Sequence, residues 1–365
     1  MNSLLKYKIM SKVDTKKIDV IAPSLGRRFS GINASMMAVI PEQTKLTGIV
    51  GLGLNLDSNK VPVISFKQFL FGCWRDKWRI WHARRNIDML TGIILKYVFR
   101  YKIVLVFTSV AQRYHKSLTK FYINQMSEII CPSNISASYL EYKPNIVPHG
   151  VNTSIFYPST SEDKQSENIV VPCENTIGIF GRIRKSKGTE EFIDAVIKVL
   201  QHHDNWGAVV IGESTPKDLE FKKMLEDKVL KAGLESRIVF TGFLKDSAEI
   251  PKWYRAIDIV VCASHNEGFG LPALEAMASK CSVIATKAGA WPEFITDGEN
   301  GYLVDTKSSE QIAEKLEILM SNDSLRNQIA QNGYNLVTSK YKIENEAEGI
   351  QEIYDKLLAE KNKGC

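Results

Sequence analysis

Short apolar runs alternate with amphipathic segments in the first 150 residues, and this alternation predicts a mainly parallel α/β fold. The runs are bounded by polar or glycine-containing segments, as the strands of a buried sheet usually are. Residues 33–41, 87–99 and 116–126 show helical patterns between some of these runs. Strands connected through helices in this way form parallel sheets. The predicted strands cover residues 17–23, 46–52, 61–66, 79–82, 103–109, 129–133 and 146–149.

A second alternating series follows a polar stretch, residues 157–175, which contains Pro158, Pro172 and many Ser, Glu and Lys residues. That composition is typical of a linker. The strands predicted beyond it cover residues 177–181, 208–212, 238–242, 257–263, 283–286 and 302–304. The helices predicted in the same part cover residues 189–202, 217–232, 272–279, 309–320 and 324–339.

The two series together predict two Rossmann-like domains. We place the first domain at residues 1–156, the linker at 157–175 and the second domain at 176–340. Residues 341–365 form a closing segment in which apolar residues from Ile350 to Leu358 recur at helical spacing. We expect this C-terminal helix to pack back on the first domain.

The composition is that of an ordinary soluble globular protein, and it excludes several other classes. The chain has 365 residues, of which 44% are hydrophobic and 24% charged, so it can form about two domains with sizeable cores. Its six cysteines show no CxxC spacing, which argues against a disulfide framework and against a metal site.

Residues 1–16 lack the apolar core of a signal peptide. Lysines and arginines interrupt the most apolar region, residues 87–109, so it does not predict a membrane span. We therefore expect a cytosolic protein.

The charge is unevenly distributed between the two halves. Residues 1–150 contain 22 Lys and Arg against 8 Asp and Glu, whereas the remainder contains 25 against 33. A basic half of this kind favours an anionic partner. No nucleic-acid-binding module accompanies the charge, so nucleic acid is not expected. An anionic membrane or a phosphorylated glycan is at least as good a partner.

An aromatic and basic cluster in the first half has two interpretations. Its members are the apolar residues 69–71, followed by Trp74, Arg75, Lys77, Trp78, Arg79 and Trp81. In one interpretation the apolar side chains enter a membrane interface while the cations meet lipid headgroups. In the other, which we favour slightly, the aromatic side chains are core packing and the cations are exposed.

The stretch at residues 264–275 combines two glycines, a helix start and two carboxylates. Pro272 is well suited to the first position of a helix. Gly268 and Gly270 allow a ligand to approach the backbone closely, and the amides at a helix N-terminus attract phosphate. Glu267 and Glu275 add two acceptors for hydroxyl groups. The combination fits a sugar nucleotide; the alternative is a tight turn whose glutamates only complement the helix dipole.

A cation-rich loop follows another strand of the second series. Residues 178–188 end a predicted strand and lead into Thr189, a suitable helix N-cap. Arg182 and Lys187 are residue types that bind a diphosphate. The planar guanidinium of arginine can donate two parallel hydrogen bonds, and the ammonium group of lysine supplies a compact positive charge. Taken alone, such a loop is equally consistent with a solvent-exposed turn that binds no ligand. Because both loops follow parallel strands, we expect them to share the sheet edge at which ligands bind.

The first predicted strand leads into a comparable loop, residues 24–31, before a helix. Arg27 and Arg28 lie in it and can pair with a phosphate or a carboxylate, and a solvated turn is again the alternative. The loop contains no GxGxxG motif, so the dinucleotide-binding fingerprint is absent.

These motifs resemble those of the family-4 retaining glycosyltransferases of the GT-B fold. The segments that carry the resemblance in the second domain are residues 181–188, 240–242, 264–277 and 293–301. In the first domain, residues 81–86, 107–109, 112–115 and 149–151 are similar to bacterial lipopolysaccharide-core mannosyltransferases. The chain departs from the family at residues 280–282, where Lys-Cys-Ser replaces a common Gly and Pro, and we expect a changed turn there.

The resemblance implies a two-domain enzyme with its active site in the cleft between the domains, the sugar nucleotide on the second domain and the acceptor on the first. Arg182 and Lys187 would neutralise the diphosphate, Glu267 would hold sugar hydroxyls and Glu275 the ribose hydroxyls. The donor-binding set is Gly181, Gly268, Phe269, Gly270, Leu271 and Glu275, with the amides of residues 269–271 meeting the sugar or phosphate. No cofactor or divalent metal is expected, and the chain has no Asp-x-Asp motif.

The acceptor site is predicted in the first domain. Its candidates are Arg27, Gly31, His82, Arg84 and Arg85, of which Arg84 and Arg85 suit a carboxylate-bearing acceptor such as Kdo, the acidic inner sugar of lipopolysaccharide. We place His115 near the transferred sugar, in the catalytic group with Glu267, Arg182 and Lys187. A structural role for each histidine and surface exposure of the arginines are the alternatives.

The sequence therefore predicts a retaining transfer of mannose, from GDP-mannose, to an inner-core sugar of a lipid-linked saccharide at the cytosolic face of the inner membrane. Three alternatives stay open: a hexosyltransferase that uses a UDP-sugar, a sugar-nucleotide 2-epimerase, and a non-catalytic sugar-nucleotide-binding protein. The two glutamates also invite comparison with the carboxylate pair of glycoside hydrolases. We reject that mechanism because Glu275 lies on a helix beside the nucleotide site.

Overall fold

The structure is a computed structural model that describes residues 14–26, 31–53, 55–72, 74–160, 163, 169–244 and 246–363. It divides into two compact units. Unit 1 comprises Met1–Gly150 together with Ile343–Cys365, and unit 2 comprises Val151–Lys342. The units divide at Gly150, so residues 151–156 group with unit 2, as does the polar stretch 157–175.

Each unit contains one parallel sheet, which confirms the predicted fold class. In unit 1 the described strands are ordered β3-β2-β1-β4-β5-β6-β7, and in unit 2 β10-β9-β8-β11-β12-β13. The strands of unit 1 are β1 (Val20–Ser24), β2 (Ile49–Gly53), β3 (Val63–Ile64), β4 (Arg79–Ala83), β5 (Ile103–Thr108), β6 (Glu128–Cys131) and β7 (Asn145–Ile146). Those of unit 2 are β8 (Asn175–Phe180), β9 (Trp206–Ile211), β10 (Ile238–Gly242), β11 (Ile259–Cys262), β12 (Ser282–Thr286) and β13 (Tyr302–Val304).

The helices connect these strands and cover the sheets. Unit 1 begins with α1 (Gly31–Gln43), α2 (Phe66–Phe71), α3 (Asn86–Tyr97), α4 (Ser117–Ile123) and α5 (Asn134–Ala137). Unit 2 contains α6 (Thr189–Leu200), α7 (Leu219–Lys231), α8 (Glu249–Arg255), α9 (Leu271–Ala278), α10 (Trp291–Phe294), α11 (Ser309–Met320) and α12 (Asp323–Lys340). The last helix, α13 (Ile343–Lys363), returns to unit 1.

The sheet of unit 1 has a different helix layer on each face. Residues of α1 and α13 pack with one set of strand side chains, including Val20, Ile80 and Val106. Residues of α2, α3 and α4 pack with the set that points the other way, including Ile21 and Trp81. Alternate residues of one strand therefore enter opposite cores, as the two-residue repeat of a strand requires.

The C-terminal helix α13 packs on unit 1, as predicted. Its face carries Ile343, Ala347 and Ile350 into the core that α1 also lines. Polar contacts add to this packing, because both oxygens of Glu346 accept hydrogen bonds, from His149 Nδ1 at 2.8 Å and from the Gly150 amide at 2.8 Å. Apolar burial and charge-assisted hydrogen bonds together fix this helix on its unit.

The aromatic and basic cluster is core packing at Phe69, Trp74 and Trp81, as favoured from the sequence, whereas Leu70 and Phe71 are exposed. Trp74 and Trp81 are buried, and Phe69 packs against both rings. Arg79, expected to be exposed, is buried instead. Its guanidinium pairs with Asp76 at 2.8 Å and donates to the Thr15 carbonyl at 2.9 Å. A buried arginine needs such partners, so Arg79 is unavailable to a membrane surface.

Short helices are the elements that the sequence pattern missed. They are α2, α5, α8 and α10, and none has more than seven residues. In α8, Pro251 lies in the first turn, where proline costs no intrahelical hydrogen bond. At the departure from the family pattern, Lys280 adopts a left-handed φ of 60°, a conformation that favours glycine.

Candidate active site

The carboxyl ends of β8 and β11 mark the topological switch point of unit 2. These two strands are neighbours in the sheet, yet β8 continues towards β9 on one side and β11 towards β12 on the other. The connections therefore diverge and leave a crevice, which is where open parallel sheets bind ligands. The two loops singled out in the sequence, residues 181–188 and 263–270, leave these strand ends.

An ion pair joins the two loops. Lys187 Nζ lies 2.5 Å from Glu267 Oε2, and both side chains are partly exposed. Two further donors orient the carboxylate: the Ser264 hydroxyl, 3.2 Å from Oε2, and the Gly268 amide, 3.1 Å from Oε1. The structure thus brings together two predicted catalytic residues that are 80 positions apart.

His265 ties the same loops a second time. Its backbone amide donates to the Ser186 carbonyl at 3.0 Å, and its Nε2 lies 2.8 Å from Glu191 Oε1 on α6. The loop after β11 is consequently held against both the cation-rich loop and the helix that follows it. A loop that is held at two points keeps its geometry, which favours a preorganised site.

The start of α9 is shaped by a glycine and a tryptophan. Gly270 has a left-handed φ of 88°, and a Cβ at this position would lie 2.2 Å from Trp291 Nε1. The Trp291 indole donates to the Gly270 carbonyl at 3.0 Å. The Phe269 ring is buried against Phe294, so contact with a donor would come from the backbone around Phe269 and Leu271. This agrees with the expected use of amides, which stays a prediction.

Glu275 lies half-buried in the second turn of α9. The Tyr254 hydroxyl donates to Glu275 Oε2 at 3.0 Å, and the Tyr254 ring stacks on Phe180 with centroids 3.8 Å apart. Burial raises the pKa of Glu275 to about 7, and the hydrogen bond from Tyr254 opposes that rise. Burial, and then the neighbouring Glu275, raise the pKa of Tyr254 well above its usual value.

Arg182 and Gly181 lie exposed on the loop after β8. Arg182 lines a groove of about 650 Å³ together with Arg184, Lys185, Thr215 and Phe221. The groove is open and cationic, so an anion that bound there would stay partly solvated. Arg182 and Lys187 therefore have different surroundings, the first in an open groove and the second in an ion pair.

The carboxyl ends of β1 and β4 form the equivalent switch point of unit 1. Arg85 donates from Nη2 to the Asn33 side chain, whose amide donates to the Ser24 hydroxyl at 2.8 Å. Gly26 approaches Arg85 so closely that a Cβ would lie 2.2 Å from Nη1. Gly31, predicted to bind the acceptor, is exposed at the start of α1. Arg27 and Arg28 lie outside the described residues.

Arg84 is a buried cation at the same strand end. It is 9% exposed, and its Nη1 has no hydrogen-bond partner within the described part of the chain. Burial lowers the pKa of Arg84, and the nearby charges of Glu346 and Asp88 oppose that shift. Burial also raises the pKa of Asp88 to about 6. A buried guanidinium with an open donor is suited to a carboxylate or a phosphate.

His82, predicted to bind the acceptor, has protein partners at both ring nitrogens. The ring is buried, its Nδ1 shares a hydrogen bond with the Tyr354 hydroxyl of α13, and its Nε2 shares one of 2.6 Å with Thr108 Oγ1. Burial, aided by the Arg84 cation, lowers the pKa of His82 well below its usual value. Because both ring nitrogens are engaged, the geometry favours the structural alternative for His82, and its role at the acceptor stays a prediction.

His115 lies half-buried in the connection between β5 and α4. Its Nε2 is 3.3 Å from Ser109 Oγ, at the end of the strand. Burial, followed by Arg113 and Lys120, lowers the pKa of His115, so the neutral ring dominates at neutral pH. Its catalytic role stays a prediction.

Sequence reasoning missed several residues that shape these sites. They are Asn33, Tyr254, His265 and Trp291. Tyr254 is on a short helix that the pattern did not predict, and its contact with Glu275 spans 21 residues. His265 was detectable, since it lies between Ser264 and Glu267 within the motif. Asn33 was assigned only to a helix start.

Among the described residues, no group of three or more His, Cys, Asp or Glu side chains is arranged to hold a metal ion. None of the helices in that part of the chain has the length and apolar character needed to cross a bilayer.

The family model described as "Glycosyl transferases group 1" matches residues 160–336. Over 352 residues the chain is 36% identical to the lipopolysaccharide core biosynthesis mannosyltransferase LpcC of Rhizobium leguminosarum bv. viciae, covering 95% of this chain and 99% of the relative. The corresponding protein LpsB of Rhizobium meliloti (strain 1021) is 34% identical over 356 residues, with coverage of 95% and 99%.

Solved structures give the same relationship. The C-terminal domain of a glycosyl transferase group 1 family protein (LpcC) from Francisella tularensis is 65% identical, covers 53% of this chain and all of its own, and superposes with a TM-score of 0.51. Anabaena Alr3699/HepE in complex with UDP is 18% identical, with coverage of 93% and 100% and a TM-score of 0.79. At that identity the second likeness concerns the fold alone.

Proposed function

Because the chain belongs to the group 1 glycosyl transferases and has their GT-B fold, we propose that it transfers mannose from GDP-mannose to an inner-core, Kdo-like sugar of a lipopolysaccharide precursor. The observation that carries the proposal is the match to mannosyltransferases over 99% of their length. The acceptor is lipid-linked, so the enzyme works as a peripheral protein at the cytosolic face of the inner membrane, without nucleic acid as a partner.

The geometry of unit 2 supports the donor assignment. Lys187 and Glu267 meet at the switch point beside the start of α9, so a diphosphate there would replace the carboxylate as the partner of Lys187. Glu267 would then turn to sugar hydroxyls. Arg182 and the amides near Phe269 would share the remaining negative charge. These cations and amides can do the work of a divalent ion, so we propose that none is needed.

The surroundings of Arg84 support an acidic acceptor. This buried guanidinium has a donor without a partner in the described part of the protein, and Arg85 lies beside it in sequence. An acceptor carboxylate would supply the missing partner. Leaving a buried N–H without a hydrogen-bond partner is unfavourable, and this cost would be relieved when the acceptor binds.

We propose a retaining transfer on the front face of the donor. The bond between the anomeric carbon and the leaving phosphate breaks as the acceptor hydroxyl approaches from the same side. The departing phosphate oxygen helps to take the hydroxyl proton, while Lys187 and Arg182 stabilise its charge. In this scheme Glu267 and Glu275 bind hydroxyl groups and form no covalent intermediate.

The assay that tests this function incubates the protein with labelled GDP- and UDP-sugars, with and without a lipid A–Kdo acceptor and with a chelator in a parallel series. We expect labelled mannose on the acceptor from GDP-mannose only, at a rate that the chelator leaves unchanged. Transfer from a UDP-sugar would make the protein a different hexosyltransferase. Turnover without acceptor would identify an epimerase, and donor binding without any product a non-catalytic protein.

Replacing Tyr254 by Phe should shift the pH dependence of kcat/KM for the donor. We expect the ionised form of Glu275 to bind the ribose, so its pKa of about 7 should set the acid limb of the profile. The Tyr254 hydroxyl stabilises that ionised form, so its removal should move the limb to higher pH. At neutral pH the donor KM should rise up to ~10-fold, the scale of one hydrogen bond to a charged group.

A matched control removes another tyrosine hydroxyl in the same unit. Tyr157 donates to Asp163 Oδ1 at 3.2 Å, in the polar stretch before β8. Tyr157→Phe should leave the pH profile unchanged. An unshifted acid limb in Tyr254→Phe would show that this hydroxyl does not control Glu275, whatever the change in KM.

A further inference from the structure

Exposed apolar side chains in unit 1 concentrate on one helix layer. Those on α2, α3 and α4 or their immediate flanks are Phe66, Leu70, Phe71, Ile87, Ile94, Tyr97, Val98, Phe99, Tyr114, Leu118 and Phe121. Elsewhere among the described residues of this unit, the large exposed hydrophobics are Leu46, Tyr142 and Ile146. Because α2, α3 and α4 share one core, these residues emerge on the same face of the sheet. An apolar surface of this extent marks an interaction site.

Three of these exposed residues form a tip where α2 and α3 end. Phe71 is 87% exposed, Val98 68% and Phe99 52%. Tyr101 joins the two helix ends, since its ring stacks on Phe69 at 5.8 Å and lies under the Arg75 guanidinium at 4.9 Å. We call Phe71, Val98 and Phe99 the apolar tip.

Cations without acidic partners surround the apolar tip. They are Lys67, Arg75, Arg100 and Lys102, all exposed, and within the described residues none of them forms an ion pair. The acidic residue closest in sequence, Asp76, is already paired with Arg79 at 2.8 Å. The tip thus combines protruding apolar side chains with uncompensated positive charge.

Arg100 occupies a position that favours another residue type. It lies two residues after Val98, the C-cap of α3, and has a left-handed φ of 52°, a conformation that favours glycine. An arginine there is strained, and it gains no ion pair within the described part of the chain. Strain retained at an exposed position points to a function for the side chain.

We propose that the apolar tip and its cations dock on an anionic lipid bilayer. Phe71, Val98 and Phe99 enter the interface between headgroups and acyl chains, while Arg75, Arg100 and the two lysines contact lipid phosphates. A fluid bilayer accepts a ring as exposed as Phe71 without a preformed cavity, and its negative surface complements the unpaired cations. Phe71 and Arg75 belong to the aromatic and basic cluster but are exposed, whereas its Trp74 and Trp81 are buried. The inference rests on the proposed function in one respect, because a lipid-linked acceptor lies at the membrane and the enzyme must reach it there.

Flotation with vesicles of phosphatidylcholine, with and without phosphatidylglycerol, tests the proposal. The full-length protein should bind the anionic vesicles, and less strongly as salt concentration rises. Phe71→Ser with Phe99→Ser should weaken binding at least ~10-fold, since each ring loses its apolar burial. Arg100→Gly should weaken it about fivefold, the effect of one charge near an anionic surface. The same variant should unfold at equal or higher temperature, because glycine relieves the strained φ.

Two variants outside the tip serve as controls, Leu46→Ser for the apolar change and Lys143→Gln for the charge; both should bind as the wild type does. Failure of the wild-type protein to bind anionic vesicles, or equal binding by the tip variants, would overturn the proposal. So would self-association that the tip variants abolish, because that would make the tip a protein interface. Glycosyl transfer to a water-soluble acceptor should be unchanged in the tip variants. Absence of any transfer, with the vesicle results as expected, would refute the proposed function alone.

Discussion

Replacing Lys187 or Glu267 by Ala should lower kcat at least ~100-fold while leaving the fold intact. The loss has the scale of removing one contact that stabilises charge in a transition state. Lys187 Nζ lies 2.5 Å from Glu267 Oε2 at the switch point, where negative charge would develop on the leaving diphosphate. Without the lysine that charge lacks its nearest cation, and without the glutamate the sugar loses an oriented acceptor. Initial rates with saturating donor and acceptor measure the effect.

The ion pair of Lys228 provides the matched control. This lysine contacts Glu190 at 2.9 Å and Asp194 at 2.8 Å in the same unit, with a side chain of comparable exposure. Lys228→Ala should leave kcat unchanged. Partly exposed pairs contribute only about 0–1 kcal/mol to stability, so thermal unfolding should change little in both lysine variants. A Lys187→Ala protein that retains its rate, or a Lys228→Ala protein that loses as much, would contradict the assignment of Lys187.

The sheets could be predicted from sequence because their strands are continuous apolar runs. Parallel strands buried on both faces need apolar side chains at every position, as in residues 103–108 and 259–262, and little else in a chain has that pattern. Helix α8 escaped prediction for the opposite reason. Its seven residues contain Pro251 and too few turns for a periodic signal. Its packing on the core, with Trp253 and Tyr254 buried, stabilises it instead.

The proximity of the loops that carry Lys187 and Glu267 followed from topology, since both leave parallel strands at one sheet edge, but their ion pair was not predicted. Burial of individual side chains could not be read in the same way. His82 and Arg84 are two residues apart on a strand and its end, yet one ring is saturated by Tyr354 and Thr108 while the other side chain keeps an open donor. That difference depends on α13, because its Tyr354 lies 272 positions after His82 in the sequence.

Replacing Gly188 by Ala should destabilise the protein and weaken donor binding together. Gly188 has a left-handed φ of 68°, and a Cβ there would lie 2.0 Å from the Ala263 carbonyl oxygen. The Cβ is fixed to the backbone of Gly188 and the Ala263 oxygen is itself a backbone atom, so the loops after β8 and β11 would have to separate. The left-handed conformation alone costs an alanine about 1–2 kcal/mol. The forced contact should add about 1–3 kcal/mol, as overpacking does elsewhere.

Gly233 separates these two contributions. Its φ of 70° is nearly the same, but no atom lies within 4 Å of its added Cβ. Gly233→Ala should therefore show the conformational cost only, with GDP affinity unchanged, whereas Gly188→Ala should lose additional stability and bind GDP more weakly. Urea unfolding and calorimetric titration with GDP measure the two effects. Equal destabilisation by both variants would mean that the two loops can move apart at little cost. The close approach at Gly188 would then not fix the position of the loops.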